Sequence, residues 1–105
     1  MGIQPLTPPQ AQQTQQVVTI QQDAGLRFLD AHEISQQDFN VVTRQFQNNN
    51  TQRWALTDMG GGLHTIQQVS SGRFLEAYLT ADRDFQAVTR RERPGDNLQL
   101  WRLGG

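Results

Sequence analysis

The chain has 105 residues, with nine basic and ten acidic side chains and a net charge of -1. This balance disfavours a nucleic-acid or anionic-membrane partner, because both need a strongly basic surface. The absence of Cys excludes disulfides, thiolate metal sites and cysteine nucleophiles, and the absence of Lys excludes lysine chemistry. No apolar run suits a membrane span and no signal-peptide pattern opens the chain. We therefore expect one small soluble domain without cofactors or metal ions.

Residues 1–16 are rich in proline and glutamine. Three of the four prolines and six of the seventeen glutamines lie there. Pro-Pro favours an extended polyproline conformation, and the glutamines bury too little apolar surface to offset the entropy of ordering. We expect a flexible tail or linker, followed by a folded domain over residues 17–105.

From residue 17 onward the sequence is built from two similar units, residues 17–62 (the first unit) and 63–105 (the second unit). Five blocks recur, four of them 46 positions later and the last 47 positions later, so one residue is inserted in a loop. This regularity indicates two copies of one supersecondary unit. The matching blocks are 19–22 with 65–68 (Thr-Ile-Gln-Gln), 27–31 with 73–77 (Arg-Phe-Leu-acid-Ala), 38–39 with 84–85 (Asp-Phe), 42–44 with 88–90 (Val-Thr-Arg) and 52–56 with 99–103 (Gln-x-Trp-x-Leu).

Each unit is predicted to contain four short strands, because all its blocks except Asp-Phe are rich in β-branched and aromatic residues. Turn-forming residues separate the blocks, as at 23–25 (Asp-Ala-Gly), and three glycines at 60–62 join the units. Residues 31–37 hold one helical turn at most. Eight short strands separated by turn signals predict an all-β fold.

Two features of each unit resemble the ricin-type lectin β-trefoil family. One is the closing Gln-x-Trp, which begins at Gln52 and Gln99; the other is an early Leu followed by an acid, at Leu29 and Leu75. The resemblance covers residues 17–103. It implies a β-trefoil-like fold with two four-stranded units per chain, where the family has three units around a pseudo-threefold axis. It also implies that the two tryptophans, Trp54 and Trp101, belong to the core and that the glutamines fix a loop.

The same resemblance implies a sugar site made of the acid, an aromatic platform and a polar residue beside the Gln of Gln-x-Trp. In the first unit Asp30 matches the acid, while the platform position falls on Val42, which supplies no ring. Rings two residues past the acid, His32 and Tyr78, either stack on a sugar or, as we favour, only flank the strand end. The candidate carbohydrate-binding residues are Asp30, His32, Asn49, Asn50 and Thr51, with Glu76 and Tyr78 as a reserve site in the second unit.

Opposite charges recur at equivalent positions of the two units. Arg27 and Asp38 of the first unit correspond to Arg73 and Asp84 of the second. We expect one ion pair inside each unit, with a structural role.

Three functions remain open. The resemblance implies a lectin-like module that recognises galactose- or glucose-type glycans. We expect it to be non-catalytic, because the chain has no Ser-His-Asp set and no opposed carboxylate pair. The missing platform favours a structural or protein-interaction module that has lost sugar binding. A linker-like tail also suits the targeting domain of a larger toxin or hydrolase.

Two units leave a trefoil incomplete, with open strand edges and one uncovered side of the core. Another chain is expected to supply the third unit. Three chains carry six units, enough for two trefoils, so we prefer a homotrimer to a dimer. A monomer whose eight strands close differently is the remaining alternative.

Overall fold

The computed structural model of the protein describes residues 15–104, which form eight β-strands and four 3₁₀ turns without an α-helix. The predicted all-β fold is confirmed. No helix in this part of the chain is long and apolar enough to cross a membrane. The strands are β1 (Gln15–Val18), β2 (Phe28–Ala31), β3 (Val41–Arg44), β4 (Trp54–Gly60), β5 (Leu63–Gln68), β6 (Phe74–Ala77), β7 (Ala87–Arg90) and β8 (Trp101–Arg102).

The two units have the same strand arrangement. In each, the outer strands pair with one another, β1 with β4 and β5 with β8, and the inner strands form a hairpin, β2 with β3 and β6 with β7. The β4–β5 hairpin joins the units, so the order β1-β4-β5-β8 is one antiparallel ribbon. Among residues 15–104, β1 and β8 are the two edges of this ribbon.

The first strand begins earlier than the sequence indicated. β1 starts at Gln15, whose backbone is in register with Thr57, so residues 15 and 16 belong to the sheet rather than to the predicted tail. An edge strand is added through backbone hydrogen bonds, which any side chain allows. The strand predicted at 19–22 is wrong, since only Gln21 forms a bridge there, with Phe28. Residues 1–14 lie outside the described residues.

Three glycines form the tight turn between β4 and β5. Gly60, Gly61 and Gly62 have φ of 89°, 64° and 80°, in the left-handed region that glycine adopts without a steric penalty. A Cβ at Gly60 or Gly61 would meet nothing within 4 Å. The glycines are therefore required by the backbone conformation, and the turn is held by hydrogen bonds from Gly60 N to the Asp58 carboxylate at 2.8 Å and from Arg102 to the Gly61 carbonyl at 3.2 Å.

The core lies between the ribbon and the hairpins. Its buried residues include Ala31, Ile66, Leu75 and Trp54, and Trp54 is 0% exposed. The Trp54 indole donates to the Leu29 carbonyl at 3.0 Å, so its one polar group is satisfied. The equivalent tryptophan, on β8 at the ribbon edge, is only half-buried.

The units contact each other where the turn containing Asp38 and Phe39 meets the β6–β7 hairpin. The Phe39 carbonyl accepts hydrogen bonds from Thr89 N at 2.9 Å and from Thr89 Oγ1 at 3.2 Å. The Arg73 guanidinium lies 3.7 Å from the centroid of the Phe39 ring, a cation–π contact. Arg90 donates to the Asp38 carboxylate at 2.7 Å. Backbone, aromatic and charged contacts thus all join the two units.

The ion pairs predicted inside each unit are wrong. Arg27 donates to the Thr43 carbonyl at 3.4 Å, while Asp38 pairs with Arg90 of the other unit. Asp84 makes no salt bridge with any residue from 15 to 104. Asp38 has a left-handed conformation (φ 54°) in the loop that joins β2 and β3, from which its side chain reaches the neighbouring unit.

Candidate functional site

Asp30 lies on β2 with its side chain beneath the surface of the first unit. The residue is 2% exposed. One carboxylate oxygen accepts the backbone N–H of Ala31 at 2.7 Å, and the other lies 3.2 Å from Thr51 Oγ1 and 3.9 Å from Arg44 Nε. A carboxylate has about four lone-pair sites, so Asp30 still has capacity for a further hydrogen-bond donor.

The polar residues beside Gln52 form a capped turn next to this carboxylate. Asn49 Oδ1 accepts Thr51 N at 3.2 Å, which begins the 3₁₀ turn Asn50–Gln52. The Thr51 hydroxyl lies 2.6 Å from Asn49 Oδ1 and 3.2 Å from Asp30. Because a hydroxyl has one proton, it donates to one of these two acceptors at a time. A ligand hydroxyl can replace it at Asp30 without leaving Thr51 unpaired.

His32 and Arg44 complete the cluster. His32 follows β2, and its backbone N–H donates to the Asn40 carbonyl at 2.9 Å. Its Nε2 lies 3.4 Å from the Arg44 guanidinium. Arg44 thus stands between the imidazole and the Asp30 carboxylate, and its side chain is 38% exposed. A ligand approaching Asp30 on this side meets Arg44 before the carboxylate.

An aromatic ring is present on this side of the β2–β3 hairpin, although not at the position that the family resemblance implied. Val42 is opposite Asp30 in the register, and neither residue supplies a ring. Phe46, two residues beyond β3, is 58% exposed and packs on Phe28, with ring centroids 5.2 Å apart. Phe46 is therefore an exposed aromatic ring that packs on the same hairpin as Asp30.

Asn50 is separated from the cluster by its own contacts. Its side-chain oxygen accepts Arg53 Nη1 at 3.1 Å, and its backbone carbonyl accepts Ser70 N at 3.1 Å. No hydrogen bond in the described part of the chain joins the Asn50 side chain to Asp30, His32 or Thr51. Four of the five residues predicted in the first unit are linked in the structure. Thr51 connects Asp30 with Asn49, and Arg44 connects Asp30 with His32.

The structure does not bring Glu76 and Tyr78 of the reserve site together. Glu76 is 7% exposed and is occupied by Gln99 at 3.0 Å and Arg93 at 3.3 Å. The Tyr78 hydroxyl donates instead to the Asp38 carboxylate of the first unit. This hydrogen bond, with the charge of Arg90, lowers the pKa of Asp38. Tyr78 therefore belongs to the contact between the units.

The two glutamines of Gln-x-Trp fix the loops that precede them. Gln52 accepts the backbone N–H of Gln47 at 3.0 Å and donates to the Gln45 carbonyl at 2.8 Å. Gln99 accepts Arg93 N at 3.0 Å and donates to the Arg91 carbonyl at 2.8 Å. Both glutamines are buried, so their role here is structural.

Arg44 and Phe46 are the site residues that sequence reasoning missed. In an antiparallel hairpin, a residue also faces the diagonal neighbours of its direct partner. With Asp30 opposite Val42, that diagonal position is residue 44. The sequence predicted both strands but not their register, and that register is the observation that identifies Arg44.

The cluster combines hydrogen-bond acceptors, donors and an exposed ring, which are the groups that bind a polar ligand with an apolar face. Within residues 15–104, no group of three His, Asp or Glu side chains could hold a metal ion.

Comparison with known proteins identifies the family. Residues 7–90 match the family described as ricin-type beta-trefoil lectin domain-like. None of the curated proteins compared with the chain matches it. Among solved structures, the chain is similar to the crystal structure of the designed 3-fold symmetric protein ThreeFoil, with a TM-score of 0.70 and 22% sequence identity. The match covers 82% of this chain and 62% of that chain, so two units correspond to less than two thirds of a threefold-symmetric fold. The chain therefore belongs to the ricin-type β-trefoil lectin-like domains, as the Gln-x-Trp units indicated.

Proposed function

We propose that the protein is a non-catalytic carbohydrate-recognition module whose glycan site lies in the first unit, around Asp30. The supporting observation is that Asp30, Asn49 and Thr51 are linked by hydrogen bonds beside an exposed ring. The family is one of lectin-like domains, which supports a sugar as the ligand class.

The residues of the first unit have distinct roles in this proposal. Asp30 accepts a sugar hydroxyl in place of the Thr51 hydroxyl, and Asn49 then retains Thr51 as its donor. Phe46 offers an apolar face to the C–H groups of the pyranose ring. His32 and Arg44 border the site, and Asn50 stabilises its loop through Arg53. Glu76, being paired with Gln99 and Arg93, is a weaker candidate.

The ligand class is a galactose- or glucose-type sugar, bound with a dissociation constant on the order of millimolar at one site. Weak binding is expected because Asp30 is almost fully buried and Arg44 stands beside it. Several sites on one assembly would raise the avidity without new contacts.

The burial of Asp30 favours a second candidate, a protein-interaction module that has lost sugar binding. A carboxylate that is 2% exposed and already accepts a backbone N–H at 2.7 Å can be purely structural. In that case Asp30 fixes the Asn50–Gln52 turn to β2 and contacts no ligand.

Titration with simple galactosides and glucosides, followed by NMR chemical shifts, tests the two candidates. Binding at this site shifts the backbone signals of residues 30–52, and Asp30→Asn abolishes those shifts. Asp23→Asn is the matched control, because Asp23 is an exposed carboxylate of the same unit. If no sugar shifts the signals of residues 30–52, or if the Asp30→Asn variant binds sugar as the wild type does, the protein-interaction module replaces the carbohydrate-recognition module as the favoured function.

We also propose that the chain self-associates, as a homotrimer rather than a dimer. The support is that the match covers 62% of a threefold-symmetric structure, so the two units correspond to about two of its three units. Exposed apolar side chains near the two ribbon edges, Val17 on β1 and Leu103 just after β8, also favour a covering partner. Light scattering distinguishes the assemblies, since the chain mass is 11.9 kDa.

A further inference from the structure

Equivalent residues of the two units differ in burial at one surface. In the second unit, Val88 and Thr89 on β7 are 1% and 0% exposed, because the turn of the first unit covers them. In the first unit, the equivalent Val42 is only partly buried and Thr43 is exposed. The same side chains thus form a covered surface in one unit and an uncovered surface in the other. We call Val42 and Thr43, with Arg27 and Arg44, the docking face of the first unit. Val88 and Thr89, with Arg73 and Arg90, form the docking face of the second unit.

The turn that would cover such a face is also present twice. Asp38 and Phe39 have φ of 54° and 50°, and Asp84 and Phe85 have φ of 56° and 49°. The turn at 38–39 is engaged by the second unit, whereas Phe85 is 59% exposed. The turn at 84–85 therefore has the sequence and backbone shape of a docked turn without a docking face beneath it.

We propose that the turn formed by Asp84 and Phe85 docks on the Arg27–Arg44 face of the first unit of another copy of this chain. The new contact repeats the one inside the chain: Asp84 takes the place of Asp38, and Arg44 takes the place of Arg90. Arg27, which is exposed, stacks on Phe85 as Arg73 stacks on Phe39. This inference rests on the self-association proposed above and names its interface.

Charge complementarity supports a second copy as the occupant. Asp84 makes no salt bridge inside the described part of the chain. On the docking face of the first unit, the Arg44 side chain is 38% exposed, and its nearest carboxylate, that of Asp30, is 3.9 Å away. In the contact between the units, the Arg90–Asp38 distance is 2.7 Å. Docking would give Asp84 and Arg44 the close pairing that both now lack.

The contact is common to both stoichiometries. In two copies that exchange it reciprocally, the second unit of each copy docks on the first unit of the other, with twofold symmetry. Three copies form two rings of three units. Each ring contains both units of one copy and one unit of the third copy, which bridges the two rings. The bridging copy must separate its units at Gly60–Gly62, which breaks the pairing of β4 with β5 and the 3.2 Å hydrogen bond from Arg102 to the Gly61 carbonyl. The mass of the assembly decides between these arrangements, and the same contact is required in either.

Docking would also change the candidate sugar site. In the isolated chain the Arg44 guanidinium contacts both Asp30 and His32. When Asp84 of another copy pairs with Arg44, Arg44 moves away from Asp30 and leaves one carboxylate oxygen more accessible. In the contact inside the chain, the Tyr78 hydroxyl donates to Asp38. The first unit has His32 at the equivalent position, so no tyrosine hydroxyl would donate to Asp84 in the docked pair.

Charge reversal at the turn tests the contact in the full chain. The wild type is expected to associate, and Asp84→Arg is expected to weaken the association roughly a hundredfold, as removal of a buried charge partner does. Asp82→Arg is the matched control, since Asp82 is an exposed acid of the neighbouring 3₁₀ turn. Analytical ultracentrifugation gives both association constants, and thermal melting confirms that each variant is folded.

Complementary reversal identifies the partner residue. Asp84→Arg and Arg44→Glu should each fail to associate alone, whereas an equimolar mixture should associate, because each altered charge then meets its opposite. A wild type that stays at 11.9 kDa, or an Asp84→Arg variant that associates as the control does, overturns the proposal. A mixture that does not associate overturns the Asp84–Arg44 pairing. Sugar titration of the Asp84→Arg variant reports separately on the glycan site, because this variant leaves Arg44 and the other residues of that site unchanged.

Discussion

Arg90 and Asp38 form the closest salt bridge between the two units, with 2.7 Å between the guanidinium nitrogen and the carboxylate oxygen. Arg90 also donates to the Asp38 carbonyl at 3.0 Å and to the Tyr78 hydroxyl at 2.8 Å. One side chain of the second unit thus binds both the backbone and the side chain of the Asp38 turn. This relationship makes the contact between the units sensitive to single substitutions.

Replacing Arg90 with Ala is expected to destabilise the chain by about 1–3 kcal/mol, since it removes a charged donor from partly buried acceptors. Arg91→Ala is the control, because Arg91 is an exposed neighbour of the same charge. Urea denaturation followed by circular dichroism measures both free energies of unfolding. Equal stability of the two variants would show that the contact contributes nothing.

The stability of the protein is expected to depend on the ionisation of Asp38. Its pKa is lowered in the folded chain, chiefly by the Tyr78 hydrogen bond, so the unfolded chain binds more protons between the two pKa values. This contribution is therefore present above about pH 4 and is lost as the pH falls below it. Melting temperatures of the wild type and Asp38→Asn, measured from pH 2 to 7, should converge at the acid end. Parallel profiles would contradict the prediction.

The two tryptophans are expected to differ in their contribution to stability. Trp54→Ala removes a fully buried ring and should cost about 3–5 kcal/mol. Trp101→Ala should cost less, because that ring is half-buried at the ribbon edge, although its indole also donates, to the Leu75 carbonyl at 2.9 Å. Chemical denaturation at one low protein concentration compares them. A Trp101 variant that is as unstable as the Trp54 variant would place both rings in one closed core.

Truncation should locate the start of the folded domain. Removal of residues 2–14 leaves all four backbone pairs of β1 with β4, so the melting temperature should change little. Removal of residues 2–18 deletes β1 and exposes the edge of β4, and should lower the melting temperature clearly. If both truncations melt alike, β1 does not stabilise the domain.

Local patterns in the sequence were sufficient for the hairpins and the loops. Alternation and β-branched residues located β2, β3, β6 and β7 within a residue, because these strands pair with their neighbours in the chain. The position of β1 was wrong, since its partner β4 lies almost forty residues away and the pairing uses backbone groups.

The candidate site was only partly predictable. Asp30 and Thr51 were found from their positions in the repeat, and the structure joins them at 3.2 Å. Asn50 and Tyr78 were placed in sites from sequence position alone, but in the structure their side chains bind Arg53 and Asp38 instead. The direction of a side chain depends on backbone angles and neighbours that spacing does not contain.

By itself, the sequence determined that the chain is an all-β member of the ricin-type lectin-like family with two units, since repeat period, strand composition and Gln-x-Trp are local properties. Only the tertiary structure decided that Asp38 pairs with Arg90 instead of Arg27, and that Trp101 is less buried than Trp54. Two identical motifs acquire different environments when one has a neighbouring unit and the other does not. That asymmetry arises from packing between distant residues, which no repeat alignment contains.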